Sequence, residues 1–142
     1  MPTFSKTSQE RLATCEQDLQ VLFNEVIKHF ECVVICGYRS QEVQEEAFKN
    51  RTTKLHWPNS KHNSNPSQAV DVICSKNGVI DWKDYNRIYH FSGFVLGVAE
   101  VLLQQGLISH KVRFGGDWND NTILSDETFL DLIHYELLPI NP

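Results

Sequence analysis

Two residues of the segment Ser60–Ile73 have side chains suited to chemistry and a spacing that can bring them together: His62 and Asp71, nine positions apart. Asn63, Ser64, Asn65 and Pro66 mark a loop between them, and Ala69-Val70-Asp71-Val72-Ile73 reads as a strand that carries one carboxylate. Burying an ionised carboxylate is costly unless it is paired, hydrogen-bonded or bound to a metal. This stretch alone leaves two readings open: an aspartate satisfied by backbone donors, or half of a metal site.

The far end of the chain offers partners. A hydrolytic zinc site takes three protein ligands from His, Asp, Glu or Cys and leaves a fourth position for water. His62, Asp71 and His134 would supply two imidazoles and one carboxylate, leaving an ion able to bring the pKa of its bound water towards ~7. A general base has to reach that water without being a ligand, and Asp131, three positions before His134, is the candidate. Spacing does not single out this set, because a chain with 6 histidines and 18 acidic residues offers many such triples, and no HExxH pair is present. Cys15, Cys32, Cys36 and Cys74 form no CxxC pair and sit in apolar patterns, so free, buried thiols in a reducing compartment are expected.

These residues need a scaffold. Thr7-Ser8-Gln9-Glu10 matches a capping box, and apolar residues from Leu12 to Phe30 recur at helical spacing, which predicts one long amphipathic helix. Cys32 to Cys36 reads as a buried strand ending at Gly37, and Ser40 as the N-cap of a helix from Gln41 to about Asn50 with Val43, Ala47 and Phe48 facing inward. Arg39 stands at that strand-to-helix junction, where it can salt-bridge a nearby glutamate or point into a cleft. Residues 51–65 read as a surface loop or lid. Asn77-Gly78 predicts a tight turn returning Val79 and Ile80 as a short strand, Lys83 to Gln105 a second long helix stopped by Gly106, and Val112 onward a strand bending at Gly115-Gly116. A short helix over Ser125–Leu130 and a last strand from His134 to Leu138 complete the chain. Asp117-Trp118-Asn119-Asp120-Asn121 resembles the start of a calcium loop, but Thr122 stands where an EF-hand needs Gly.

Composition narrows the function classes. With 142 residues, 41% hydrophobic and 22% charged, the chain fits one globular domain, 1–142. A net charge of -5 and a pI of about 5.6 argue against nucleic acid as partner. No apolar run approaches the ~20 residues of a membrane span, so no membrane insertion is expected. The N-terminal residues lack the apolar core of a signal peptide, which points to synthesis as a soluble cytoplasmic species.

Ser60-x-His62, then Ala69-Val70-Asp71, then Phe114-Gly115-Gly116-Asp117-Trp118, then Asp131-x-x-His134-Tyr135-Glu136-Leu137 resemble, in that order, the zinc peptidase superfamily of D-alanyl-D-alanine carboxypeptidases. More narrowly they resemble the L-alanyl-D-glutamate peptidases found as phage endolysins, and the similarity runs from Gly37-Tyr38-Arg39-Ser40 to Leu137. Two departures stand out: the loop from His62 to Asp71 is two residues longer than in the wider family, with Ser67 where that family has Gly, and Ile133 precedes the last histidine where many phage relatives have Pro. Neither removes a ligand.

The resemblance implies an α+β fold, a small and mostly antiparallel sheet packed against two long helices with a zinc site at the sheet. It implies Zn2+ on His62, Asp71 and His134, Asp131 as catalytic base, and Arg39 in the substrate cleft. Glu136, on the same face of its strand as His134, is expected to hydrogen-bond that ligand, while Trp118 and Ser60, with Trp57, are expected near the cleft. The implied substrate is the peptidoglycan stem peptide, cut by a monomeric endolysin acting in the periplasm or cell wall after holin-dependent release. The alternatives are D-alanyl-D-alanine carboxypeptidase action and a non-catalytic phage structural or wall-binding protein.

Overall fold

The computed structural model describes residues 1–125, 127 and 130–140. In chain order the elements are α1 (Lys6–Leu12), α2 (Gln17–Val26), β1 (Cys32–Cys36), α3 (Gln41–Lys49), a 3-10 turn (Lys61–Asn63), β2 (Ala69–Cys74), α4 (Tyr85–Gln104), β3 (Val112–Phe114) and β4 (His134–Leu137). The strands form one antiparallel sheet in the order β1-β2-β4-β3, so the class is the α+β arrangement implied by the resemblance.

Alternation along the strands separates a packed face from a chemical one. On β4, Tyr135 and Leu137 join the core while His134 and Glu136 line a cleft. The Tyr135 ring is fully buried among Phe23 of α2, Phe91 of α4 and Phe114 of β3, with centroids at 5.4, 6.4 and 5.5 Å. α2 and α4 therefore cover one side of the sheet.

The single first helix predicted from Leu12 to Phe30 is instead two, broken at residues 13–16. Apolar periodicity continues through the break, but the backbone there is claimed by the loop before β2: Ser67 N–H donates to Thr14 O at 2.9 Å, and Glu16 N–H to Ser67 O at 2.8 Å. The N-cap is Ser5 rather than Thr7, with Ser5 Oγ accepting from Ser8 N–H at 3.2 Å. That frame aims Ser8 and Arg11 at the edge strand β1, where Ser8 Oγ accepts from Val34 N–H and Arg11 Nη1 donates to Val34 O. Both outward backbone groups of Val34 are thereby satisfied, which blunts an otherwise open sheet edge.

Other boundaries shift for local reasons. Asn77 and Gly78 make the tight turn with φ of 52 and 77°, yet Val79 gives only an isolated bridge to Lys76, and no strand forms at Val79-Ile80. α4 starts at Tyr85 because the Asp84 side chain caps it, and Gly106 ends it at φ 74°. α3 is capped by Ser40 as expected, but the residue it buries is Gln44, while Val43 is exposed. Of the short helix expected over Ser125–Leu130, Asp126, Thr128 and Phe129 lie outside the described residues, and Ser125, Glu127 and Leu130 are not helical.

Candidate functional site

Each candidate metal donor comes from a different element. Ser60 Oγ accepts from His62 N–H at 3.2 Å and Asn63 Oδ1 from Ser60 N–H at 3.1 Å, a reciprocal cap that fixes the 3-10 turn carrying His62. Asp71 on β2 stands directly opposite His134 on β4 in the antiparallel register. A register shift in β1 between Val34 and Cys36 falls beside Asp71, whose partner there is Cys36.

The three side chains meet with nearly equal edges. His62 Nε2 lies 3.2 Å from Asp71 Oδ1 and 3.3 Å from His134 Nδ1, and His134 Nδ1 lies 3.3 Å from Asp71 Oδ1. A four-coordinate ion with bonds of about 2.0–2.2 Å keeps its ligands about 3.3–3.6 Å apart, so the three donors already form one face of such a shell. The histidines offer different nitrogens because their other nitrogens are engaged: His62 Nδ1 donates to Gly37 O at 2.7 Å, and His134 Nε2 to Glu136 Oε1 at 2.8 Å. Such outer contacts set the tautomer of a ligating imidazole.

Gly37 and Gly115 stand where no side chain fits, the first against the end of α1 and the second against the loop before β4. A Cβ on Gly37 would fall 2.3 Å from Thr14 Oγ1, and one on Gly115 would fall 2.2 Å from Asp131 O. The close packing at Gly115 sets the loop before β4: Asp131 N–H donates to Gly115 O at 2.9 Å, and His134 N–H to Asp131 O at 3.2 Å. Asp131 Oδ2 consequently rests 4.0 Å from His134 Nδ1, with its side chain 33% exposed.

Arg39 is not committed to a glutamate of α3. Its Nη2 lies 3.4 Å from Asp71 Oδ2 and its Nη1 donates to Gln44 Oε1 at 3.0 Å, so it occupies the aspartate oxygen outside the triangle. The Trp118 ring leans on His134 at a centroid distance of 5.3 Å. Trp57 is not among the cleft residues; its N–H donates to Glu45 Oε1. Asp117 turns its carboxylate back on its own loop, accepting from Asn121 and Thr122 N–H.

Burial and mutual attraction set the charge states. Burial depresses the imidazolium of His62, but Asp71 outweighs it and raises the pKa to about 10. Asp71 is destabilised as an anion by burial and still held well below the usual carboxylate range by His62 and His134. Glu136 is likewise brought down to about 2, hydrogen bonds from His134 and Arg113 overriding its burial. Asp131 moves the other way: burial, then the charge of Asp71, raise its pKa. The cluster thus holds protons on its imidazoles beside a buried carboxylate, at positions where a metal cation can replace them.

The site opens into a cleft of about 480 Å³, walled by Thr53, Lys54 and Leu55 on one side and Arg113 and Trp118 on the other. Sequence reasoning overlooked Cys36, whose thiol shares a cluster with His62 and Asp71 with donor atoms within 4.8 Å. It also overlooked Gln44, Lys61 and Arg113. Arg113 alternates with the buried Val112 and Phe114, a period-two signal that places it on the chemical face.

Comparison with known proteins bears on the family and the fold. The family described as phage L-alanyl-D-glutamate peptidase matches residues 2–138. The L-alanyl-D-glutamate peptidase of Escherichia phage T5 is 29% identical over 128 residues, which is 87% of each chain. The crystal structure of the L-Ala D-Glu endopeptidase ChiX from Serratia marcescens shares the fold, with a TM-score of 0.69 at 20% identity over 96% of this chain and 90% of that one. A match spanning almost the whole sequence makes this chain a member of the phage L-alanyl-D-glutamate peptidase family.

Proposed function

We propose that this protein is a zinc endopeptidase cutting the bond between L-alanine and D-glutamate in peptidoglycan stem peptides, as a phage-type endolysin. The observation that carries this reading is the triangle of His62 Nε2, Asp71 Oδ1 and His134 Nδ1 with Asp131 just beyond it. Two imidazoles and one carboxylate suit a catalytic zinc with a position left for water, whereas a structural zinc closes its shell with four protein ligands; the Cys36 thiol groups with His62 and Asp71 but not with His134, so it does not complete the triangle. When bound, the ion would polarise the scissile carbonyl and supply an activated water.

The chain's own residues do the rest. Asp131, beside the triangle and partly solvent-facing, takes a proton from the attacking water and delivers it to the leaving amine. Arg39, anchored by Gln44 and Asp71, offers a fixed positive charge to the oxyanion that develops. Glu136 holds His134 in the tautomer that exposes Nδ1, and Trp118 walls the cleft. No described helix is long and apolar enough to cross a membrane. We place the working enzyme, a single-domain monomer, at the cell wall after holin-assisted release.

The test is a digest of purified peptidoglycan followed by mass analysis and amino-terminal labelling. The expected result is new D-glutamate amino termini, abolished by chelation and restored by zinc. Release of single D-alanine residues would assign carboxypeptidase action instead, and cleavage that survives chelation would refute the metal mechanism.

A further inference from the structure

The cleft carries a concentration of positive charge that the net charge of -5 conceals. Lys61, in the turn beside His62, and Arg113, opposite Glu136 on β3, converge on one atom. Lys61 Nζ is 3.2 Å and Arg113 Nη2 2.6 Å from Glu136 Oε2, while Glu136 Oε1 is taken by His134 Nε2. Two cations therefore share one carboxylate that is itself 6% exposed, whereas the cations are 28% and 29% exposed and line the cleft. Lys61 Nζ also donates to Leu137 O, and Glu127 and Asp131 line other parts of the cleft, but Glu136 cannot neutralise both cations, so this corner of the cleft keeps an excess positive charge. Arg113 is also braced by Trp118, donating to its carbonyl at 3.2 Å with the guanidinium 5.7 Å from the ring centroid.

We infer that Lys61 and Arg113 form a carboxylate-recognition subsite selecting substrates with a free carboxylate on the residue that follows the scissile amide. The inference rests on the function proposed above and specifies its substrate. A glutamate whose nitrogen is in the scissile bond and one of whose carboxyls carries the chain onward keeps its other carboxyl free, unless that group is amidated. The free group lies within a few bond lengths of the reacting amide, on the order of 2.5–5 Å, which suits a subsite one carboxylate removed from His134. Cationic donors favour a carboxylate over a neutral acceptor, and a primary amide would also turn N–H groups towards them. The discrimination expected from one such contact is about tenfold or more.

The experiment uses two synthetic stem peptides that differ only in a free carboxylate or a primary amide on the D-glutamate. The wild-type protein should cleave the carboxylate peptide with kcat/KM about tenfold or more above the amide. Lys61→Gln should bring that ratio towards unity by raising KM for the carboxylate peptide, Arg113→Gln should do the same, and Lys61→Arg should restore the preference. Bound zinc and thermal melting, measured on each variant, separate recognition from misfolding. Equal wild-type rates on the two peptides overturn the subsite, as does an equal loss on both in Lys61→Gln, which would reduce the pair to a support for Glu136. Failure of the wild type to cleave either peptide removes the proposed function and the subsite with it.

Discussion

Replacing Glu136 by Gln isolates the outer contact that orients His134 in the proposed zinc site. The substitution keeps side-chain volume and removes one charge from a carboxylate that serves three donors: His134 Nε2 at 2.8 Å, Arg113 Nη2 at 2.6 Å and Lys61 Nζ at 3.2 Å. An amide oxygen can keep one of these donors and its NH2 group opposes the others. Loss of an outer-shell partner of a ligating histidine costs about 10–100-fold in metal affinity, which is roughly 1.4–2.7 kcal/mol. A buried pair broken at one end costs about 3–5 kcal/mol, but Lys61 and Arg113 are 28% and 29% exposed, so water recovers part of that and about 1–3 kcal/mol of stability is expected to go. Zinc affinity is read by competition with a chromophoric chelator, and stability by thermal melting with and without excess zinc. The variant should bind zinc about 10–100-fold more weakly and lose more of its zinc-induced stabilisation than wild type at limiting metal. Unchanged zinc affinity in a folded Glu136→Gln protein would refute the assignment of His134 Nδ1 as a ligand oriented through Nε2.

Asp131→Asn should retain zinc and fold while kcat falls by about 10²–10⁴, measured as amino termini released per bound zinc. Zinc binding should release protons and tighten as pH rises, because Asp71 outweighs burial and holds the His62 imidazolium well above its ordinary range, and the ring must be neutral to bind; a chelator competition across neutral pH gives the slope. Asp18→Ala should cost about 1–3 kcal/mol, since its Oδ2 accepts from Ser109 N–H, His110 N–H and His110 Nδ1. Burial opposes the Asp18 anion, but these hydrogen bonds depress its pKa, so its contribution is present above the ordinary carboxyl value of about 3.9 and fades as pH falls through the folded one. The gap in melting temperature between wild type and Asp18→Ala should therefore close in acid.

Where local chemistry governs, the sequence was legible: β-branched runs made β1 and β2, Ser40 and Gly106 bound their helices, and Asn77-Gly78 made its turn, whereas the expected Thr7 cap gave way to Ser5 and no strand followed the turn. The break between α1 and α2 was not, because Leu12, Cys15 and Leu19 keep helical spacing across it and the deciding bonds come from Ser67, far along the chain. The grouping of His62, Asp71, Asp131 and His134 came from ordered motifs rather than from spacing. Its supports were hidden for a physical reason: Gln44 is a polar residue on a polar-looking helix, and nothing local shows that it is fully buried with bonds to Arg39, Asn63 and Leu55 O. Pairing of Lys61 and Arg113 through Glu136 depends on the β3–β4 register, which sequence periodicity leaves open.

The pairing of Asp71 with His134 across β2 and β4 also makes the centre a proofreader of its own assembly. His62 and His134 are 72 positions apart, so the donors meet only after a long loop has closed and β4 has docked beside β2. A slip of one residue between those strands turns either the aspartate or the histidine onto the packed face. The three donors of the candidate centre therefore come together only where β4 lies beside β2 in this register, so the proposed site reports on the pairing of the whole sheet and on no single element.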